Sequence, residues 1–439
     1  MTASRPCRNG IACLAAALGV ASVAFAQTPA PLGAAESDPV RLGWMVGAPP
    51  PPDRIIRYGD LSFFRFPQTR WSFAHMSQFV PSAAVSRGDG PVSVLPRAER
   101  KDIDAVTFRL PGSDRSMTWA ESLDANYTDA VVVLRRGRIV YERYRGVMNP
   151  RQRHIAMSVT KSFVGTLAEA LIAEGRLDPA APVTKYVPEL AGTGFGDATV
   201  RQVLDMTTGL AYSEAYGDPG ADVWRFSVAG GIFPRPAGYE GPLSLYAFLR
   251  TIAKEGEHGR GFTYKSVNTE VVGWILRRVT GQNVEQLLSE RIFQPLGMEC
   301  DGYLLLDADG TAFTAGGLNL CLRDLARFGE LIRLGGRFEG RQVLPAAAVE
   351  AIRRGASRSD FEHAGYSTMP GWSYRSQWWV THDAHGAIMA RGIHGQAIYI
   401  DPAAQMVIAR FGSHPLASGV AFDPTTLPAF AALADHLMR

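Results

Sequence analysis

Apolar and polar positions change their spacing several times along the chain, and each change marks an element. Residues 129–144 (DAVVVLRRGRIVYERY) form two apolar, β-branched runs around Arg135-Arg136-Gly137, which predicts a β-hairpin. The next segment, 162–174 (SFVGTLAEALIAE), is apolar almost all round, which predicts a buried helix stopped at Gly175. Helical spacing recurs at 269–279 and 322–334, inside a stretch from 200 to 335 where helical patterns dominate. Strand patterns return after Gly340: residues 374–380, 396–400 and 406–411 read as short strands, and 427–438 as a closing helix. Strands at both ends with helices between predict an α/β plus all-α fold. Its α/β part covers about 99–178 and 340–439, and the inserted helical part about 179–339. A cleft between the parts is the natural place for a small-molecule site.

Two stretches lack this periodicity. Residues 27–98 are rich in proline and aromatics, with APPPP at 48–52, and predict an irregular extension wrapped on the 99–439 body, or partly disordered at its start. At the N-terminus, Arg5 and Arg8 precede the apolar run 11–25, and Ala24-Phe25-Ala26 fits a small-x-small cleavage pattern. Residues 1–26 therefore predict a secretory signal peptide, and the run is short for a membrane span. A periplasmic or secreted protein without a stable membrane anchor is expected. Removal of that segment leaves Cys300 and Cys321, for which a disulfide and two free buried thiols are both open.

Charge adds exclusions. Against 42 Asp and Glu, 45 Lys and Arg give a formal +3 with no basic run, so no nucleic-acid partner is expected. No CxxC or Cys/His cluster suggests zinc, and the nearest metal-like pattern is His382-Asp383-Ala384-His385 in a polar segment. No metal or cofactor is expected.

Candidate chemistry starts at Ser158-Val159-Thr160-Lys161, at the head of the apolar helix. Residues three apart share a helical face, so the lysine nitrogen can reach the serine hydroxyl. Burial would favour the neutral amine, which accepts a proton, and the first helical turn offers free N–H groups to an oxyanion. Taken alone, a capping serine and a snorkelling lysine also explain the pattern. Tyr264-Lys265-Ser266 precedes the helix at 269–279, and a nearby lysine would favour its phenolate, making a proton shuttle. Gly392-Ile393-His394-Gly395-Gln396 enters a strand, where an outward N–H could complete an oxyanion hole with that of Ser158.

S-x-x-K, then Y-x-S about a hundred residues on, then a glycine-containing strand, is an order similar to that of the penicillin-recognising serine hydrolases. More closely, the chain resembles their 6-aminohexanoate-dimer hydrolase (nylon-oligomer hydrolase) branch. The resemblance rests on Arg70-Trp71-Ser72-Phe73-Ala74-His75, 80–87 (VPSAAVSR), 188–192 (PELAG), Arg323-Asp324-Leu325-Ala326-Arg327, Gln377-Trp378-Trp379 and 392–396 (GIHGQ). It implies a β-lactamase/DD-peptidase-like fold, an antiparallel sheet flanked by helices with an inserted helical domain. It also implies Ser158 as nucleophile, Lys161 as general base, Tyr264 as proton shuttle and Ser266 in support. The amides of Ser158 and Ile393 would form the oxyanion hole, and Tyr216 would contact the scissile amide.

Two departures bear on substrate. Ala390-Arg391-Gly392 replaces the lysine-bearing strand motif of the lactamases, so β-lactamase or D-Ala-D-Ala peptidase action is the alternative rather than the main expectation, although an inward Arg391 could hold a carboxylate. Ala315 stands where the nylon-oligomer enzymes can carry a polar residue, which would favour less demanding esters. The expected partner is a small amide or ester substrate, with a homodimer the assembly allowed for. A non-catalytic cell-envelope binding module on the same fold is the second alternative. An α/β-hydrolase esterase is disfavoured by the lack of G-x-S-x-G.

Overall fold

The computed structural model describes residues 30–439; the expected signal peptide, 1–26, lies outside them. In chain order the elements that position the site are β1 (Ser82–Val85), β2 (Thr128–Arg135), β3 (Arg138–Tyr144), β4 (His154–Ile155), α1 (Val159–Ala173), α2 (Asp222–Ala229) and α3 (Val267–Thr280). They continue as β5 (Gly302–Leu305), β6 (Leu318–Leu320), α4 (Leu322–Arg333), β7 (Ser373–Arg375), β8 (Trp378–Val380), β9 (Ile388–Gly392), β10 (Gln396–Asp401), β11 (Met406–Gly412) and α5 (Asp423–Met438).

Seven strands form one antiparallel sheet in the order β7-β8-β9-β10-β11-β2-β3. The expected hairpin is β2–β3, reversed through Arg136 and Gly137, whose φ values of 50° and 72° are both left-handed and match the twist of the flanking strands. Both faces of β2 are covered, which explains its unbroken VVVL run in place of alternation. Helix α1 is buried along 13 residues, and Phe163 stacks on Phe328 of α4 with ring centroids 3.6 Å apart. Gly165 lets α1 approach β7–β8 closely, because a Cβ there would lie 2.1 Å from the Ser376 carbonyl oxygen.

Three expectations need correction. The single strand at 374–380 is two strands, β7 and β8, folded back through Ser376 (φ 49°) and Gln377 (φ 68°). Buried hydrogen bonds hold these left-handed residues in place. Ser376 Oγ donates to Glu169, and the Gln377 amide donates to the Leu204 carbonyl at 2.8 Å while its carbonyl accepts from Thr269 Oγ1 at 2.7 Å. Within the stretch expected to be helical, β5 and β6 are strands, joining β1 and β4 in a second antiparallel sheet of order β1-β5-β6-β4. Helix α5 begins at Asp423 rather than 427, since Pro424 falls in its first turn, where no N–H is required.

The irregular extension contributes core. Trp44, Phe63, Trp71 and Phe73 pack with Ile155, Met157, Phe233 and Leu305 in one buried cluster. Arg70 lies buried beside Asp129 of β2 (3.6 Å), which also meets His154 Nε2 (3.4 Å). Cys300 and Cys321 are joined in a disulfide that brackets β5 and β6. Asp324, in the Arg323–Arg327 motif, accepts the N–H groups of Glu299 (2.8 Å) and Cys300 (3.0 Å) and pairs with the buried Arg327 (3.1 Å), so the motif braces this junction. His382 and His385 of the metal-like pattern face different partners, Ser373 Oγ (2.7 Å) and Asp401 (2.7 Å).

Candidate active site

Ser158 sits where β4 turns into α1. Met157, at φ 47°, reverses the chain immediately before it, and the start of α1 places the positive end of the helix dipole at the serine. One turn on, Lys161 is 1 % exposed. Its Nζ lies 2.8 Å from Ser158 Oγ and donates to the Ala315 carbonyl at 2.7 Å. Burial lowers its pKa to about 8, against the opposing pull of Glu214 and Glu270, so a neutral amine is accessible near neutrality. Such an amine can give a proton to Ala315 and still offer a lone pair to the serine hydroxyl.

Tyr264 is half-buried, its ring centroid 5.1 Å from Lys161 Nζ and stacked at 5.7 Å on Trp379 of β8. The expected phenolate is not favoured. Burial, and then the Glu214 charge, hold the Tyr264 pKa well above that of an ordinary phenol, with the hydrogen bond to Ser158 opposing them. The group is therefore a protonated phenol facing Ser158.

Ser266, at the head of α3, meets the Glu214 carboxylate twice: its Oγ donates at 2.5 Å and its N–H at 2.6 Å. Tyr216 donates its hydroxyl to the same carboxylate at 2.6 Å. Glu214 thus ties the 213–218 loop to α3, a role sequence reasoning missed. The available signal was an acid two residues before Tyr216, on the same side of an extended segment. Glu270, one helical turn after Ser266, was missed as well. It is buried and accepts from the backbone of Ala315 at 2.7 Å.

Ser158, Tyr216, Tyr264, Gly392 and Ile393 border one open cavity of about 710 Å3. Gly392 is required by proximity, since a Cβ there would stand 2.9 Å from the Ala156 carbonyl oxygen and push the end of β9 away from Ser158. Arg391 lines the same cavity, but its guanidinium is paired with Asp423 and lies 5.6 Å from the Trp379 ring. Ser158 also borders a smaller, mostly apolar cavity of about 60 Å3, walled by Phe64, Met76, Trp224, Phe233, Phe313 and Ala315. Lys161 borders this small cavity, and Ser158, Tyr216 and Ile393 border both. Ser266 borders the small cavity as well, so the other five residues expected at the site are gathered around Ser158.

A family model described as Beta-lactamase matches residues 121–416. The 6-aminohexanoate-dimer hydrolase of Paenarthrobacter ureafaciens is 38% identical over 367 residues, covering 81% of this chain and 91% of that protein. Esterase EstB of Burkholderia gladioli is 30% identical over 232 residues, covering 46% of this chain and 55% of its own. A solved Bacillus anthracis structure, assigned by name to the 6-aminohexanoate-dimer hydrolases, superimposes with a TM-score of 0.80 at 31% identity, covering 89% of this chain and 99% of its own. With its fold, its serine-lysine pair and these relatives in agreement, the chain belongs to the β-lactamase family of serine hydrolases, in the 6-aminohexanoate-dimer hydrolase branch.

Proposed function

We propose that this protein is an exported serine hydrolase that cleaves small linear amides or carboxylic esters through an acyl-serine. The observation that carries the reading is the buried Lys161 amine 2.8 Å from the Ser158 hydroxyl. Lys161 takes the Ser158 proton as Oγ attacks the substrate carbonyl, and the N–H groups of Ser158 and Ile393 receive the oxyanion. Tyr264, protonated and facing Ser158, passes its proton to the departing amine or alkoxide and recovers one from the Lys161 ammonium. Water then enters, and the same groups return the acid and the free serine. Ser266 and Tyr216 act from their shared anchor on Glu214, with Tyr216 beside the scissile bond.

Linear substrates are favoured over β-lactams and D-Ala-D-Ala peptides because Arg391, the one cation of β9, already has its charge matched by Asp423. Amide cleavage is supported by the relative named for the 6-aminohexanoate dimer, and ester cleavage by the relative named as an esterase and by the apolar Ala315 beside Ser158. Export is supported by the Cys300–Cys321 disulfide, a bond that persists in oxidising compartments.

The test is a panel of linear 6-aminohexanoate dimer, a short-chain nitrophenyl ester and a chromogenic cephalosporin, each with wild type and Ser158→Ala. Amide or ester turnover that disappears in the variant is expected. Turnover surviving Ser158→Ala rules out the mechanism, and turnover confined to the cephalosporin rules out the substrate reading.

A further inference from the structure

Glu270 takes no part in the reaction described above and borders neither cavity. It is nevertheless the acid most firmly built into the base's surroundings. Its Oε1 accepts the Ala315 N–H at 2.7 Å, and its Oε2 accepts the Thr314 hydroxyl at 2.8 Å and the Thr314 N–H at 3.3 Å. On the other side of the same residue, the Ala315 carbonyl accepts from Lys161 Nζ. One residue of backbone therefore separates a buried carboxylate from the catalytic amine. Hydrogen bonds to an ionised acceptor are about twice as strong as neutral ones, so this is a stiff link. Burial raises the Glu270 pKa to about 7, with Thr314, Ala315 and Lys161 opposing the rise.

We propose that Glu270 is the positioning residue of the general base. It holds the 314–315 backbone so that the Ala315 carbonyl keeps Lys161 Nζ on the Ser158 hydroxyl, and its negative charge offsets the positive charge Lys161 gains on taking the serine proton. The inference rests on the Ser158–Lys161 reading. In the step concerned, one proton passes from Ser158 Oγ to Lys161 Nζ as Oγ bonds to the carbonyl carbon, while Glu270 neither gives nor takes a proton.

The charged and titratable groups around the pair are few. Lys161 feels Glu214 from the 213–218 loop and Glu270 from α3, and the Tyr264 ring lies beside it. Glu270 is felt in turn by Tyr212 and Tyr246, phenols held protonated by burial. Glu214 is engaged with Ser266 and Tyr216, which leaves Glu270 as the acid joined to Lys161 through a single residue.

The experiment compares wild type, Glu270→Gln and Thr314→Val across pH with a short-chain nitrophenyl ester, with Ser158→Ala as the control. For Glu270→Gln, kcat is expected to fall about tenfold or more with KM within about twofold, the pattern of a lost transition-state contribution. The acid limb of its profile is expected to move to lower pH, because the amine loses a neighbouring negative charge. Thr314→Val keeps that charge and is expected to lower kcat less, with the limb in place. A merely structural Glu270 would lower thermal stability and kcat without moving the limb. An unmoved or raised limb in Glu270→Gln therefore overturns the proposal while Ser158-dependent turnover leaves the underlying reading intact. Wild-type activity that survives Ser158→Ala counts against both. Should Glu270→Gln not fold, Glu270→Asp keeps the charge on a shorter stem: a lower kcat with the wild-type limb is expected, and wild-type kcat in both Glu270→Asp and Thr314→Val overturns the assignment.

Discussion

Removing the Cys300–Cys321 bond by the double change Cys300→Ala with Cys321→Ala should lower stability by an amount that follows from the loop it closes. The two positions are 21 residues apart. The loop-closure relation gives the unfolded chain about 11 cal/mol/K more entropy without the link, or about 3 kcal/mol at 25 °C. Unfolding of the 32–439 unit carries about 2.1 cal/mol/K per residue, so this loss corresponds to a fall in Tm of about 4 °C. Activity at room temperature should survive, because Asp324 still holds the N–H groups of Glu299 and Cys300 next to the missing bond. The enclosed segment carries the Ala315 carbonyl that anchors Lys161, so the temperature at which activity is lost should fall together with Tm. Differential scanning calorimetry of the variant and wild type, with thiol titration of the wild type to establish oxidation, is the check. A Tm within about 1 °C of fully oxidised wild type would refute the loop-entropy reasoning.

Because Lys161 must be neutral to accept the Ser158 proton, and burial sets its pKa at about 8, kcat/KM should rise as pH increases through 8. It should then hold beyond the ordinary phenol range, since Tyr264 keeps its proton there; a rate that peaks near pH 6 and declines by pH 8 contradicts this base assignment. Tyr264→Phe keeps the ring on Trp379, so Tm should change little, while amide turnover falls by about 10² to 10⁴. A nitrophenyl ester, whose leaving group needs no proton, should lose less, and equal losses on both substrates argue against proton donation by Tyr264. In Gly392→Ala the new Cβ meets the Ala156 carbonyl oxygen at 2.9 Å, so Ile393 must shift, and kcat should drop about 10²-fold while stability falls by about 1–3 kcal/mol. Near-wild-type kcat would show that the Ile393 amide is not part of the oxyanion site.

Elements whose pattern is generated locally could be read from the chain. The β2–β3 hairpin announces itself through a run of β-branched residues and a glycine turn, and α1 through its unbroken apolar surface. The break between β7 and β8 could not be read this way, because Ser376 and Gln377 are held left-handed by Glu169, Leu204 and Thr269, contacts distant in sequence. The second sheet was hidden for a related reason: β4 and β6 have two and three residues, too few for a period to show. At the site, Ser158 and Lys161 were legible because helical geometry alone brings them together. Glu214 and Glu270 were not, since each acquires its meaning from a partner far along the chain: Ser266 for Glu214, and the Thr314 and Ala315 amides for Glu270.

The extension that looked shapeless in sequence has a consequence for how this protein can diversify. Phe64 and Met76 wall the small apolar cavity beside Ser158, Phe64 meets Phe233 at 4.8 Å, and the Tyr58 hydroxyl donates to the Gly231 carbonyl at 2.7 Å. Yet these residues precede the family match, which begins at residue 121, while Ser158, Lys161, Tyr264 and Ile393 all fall within it. The proposed catalytic groups and part of the wall beside them are carried by different stretches of chain. A change at Phe64 or Met76 can reshape that wall without touching Ser158, Lys161 or Tyr264, so under the proposed reaction specificity has room to drift while the chemistry stays the same.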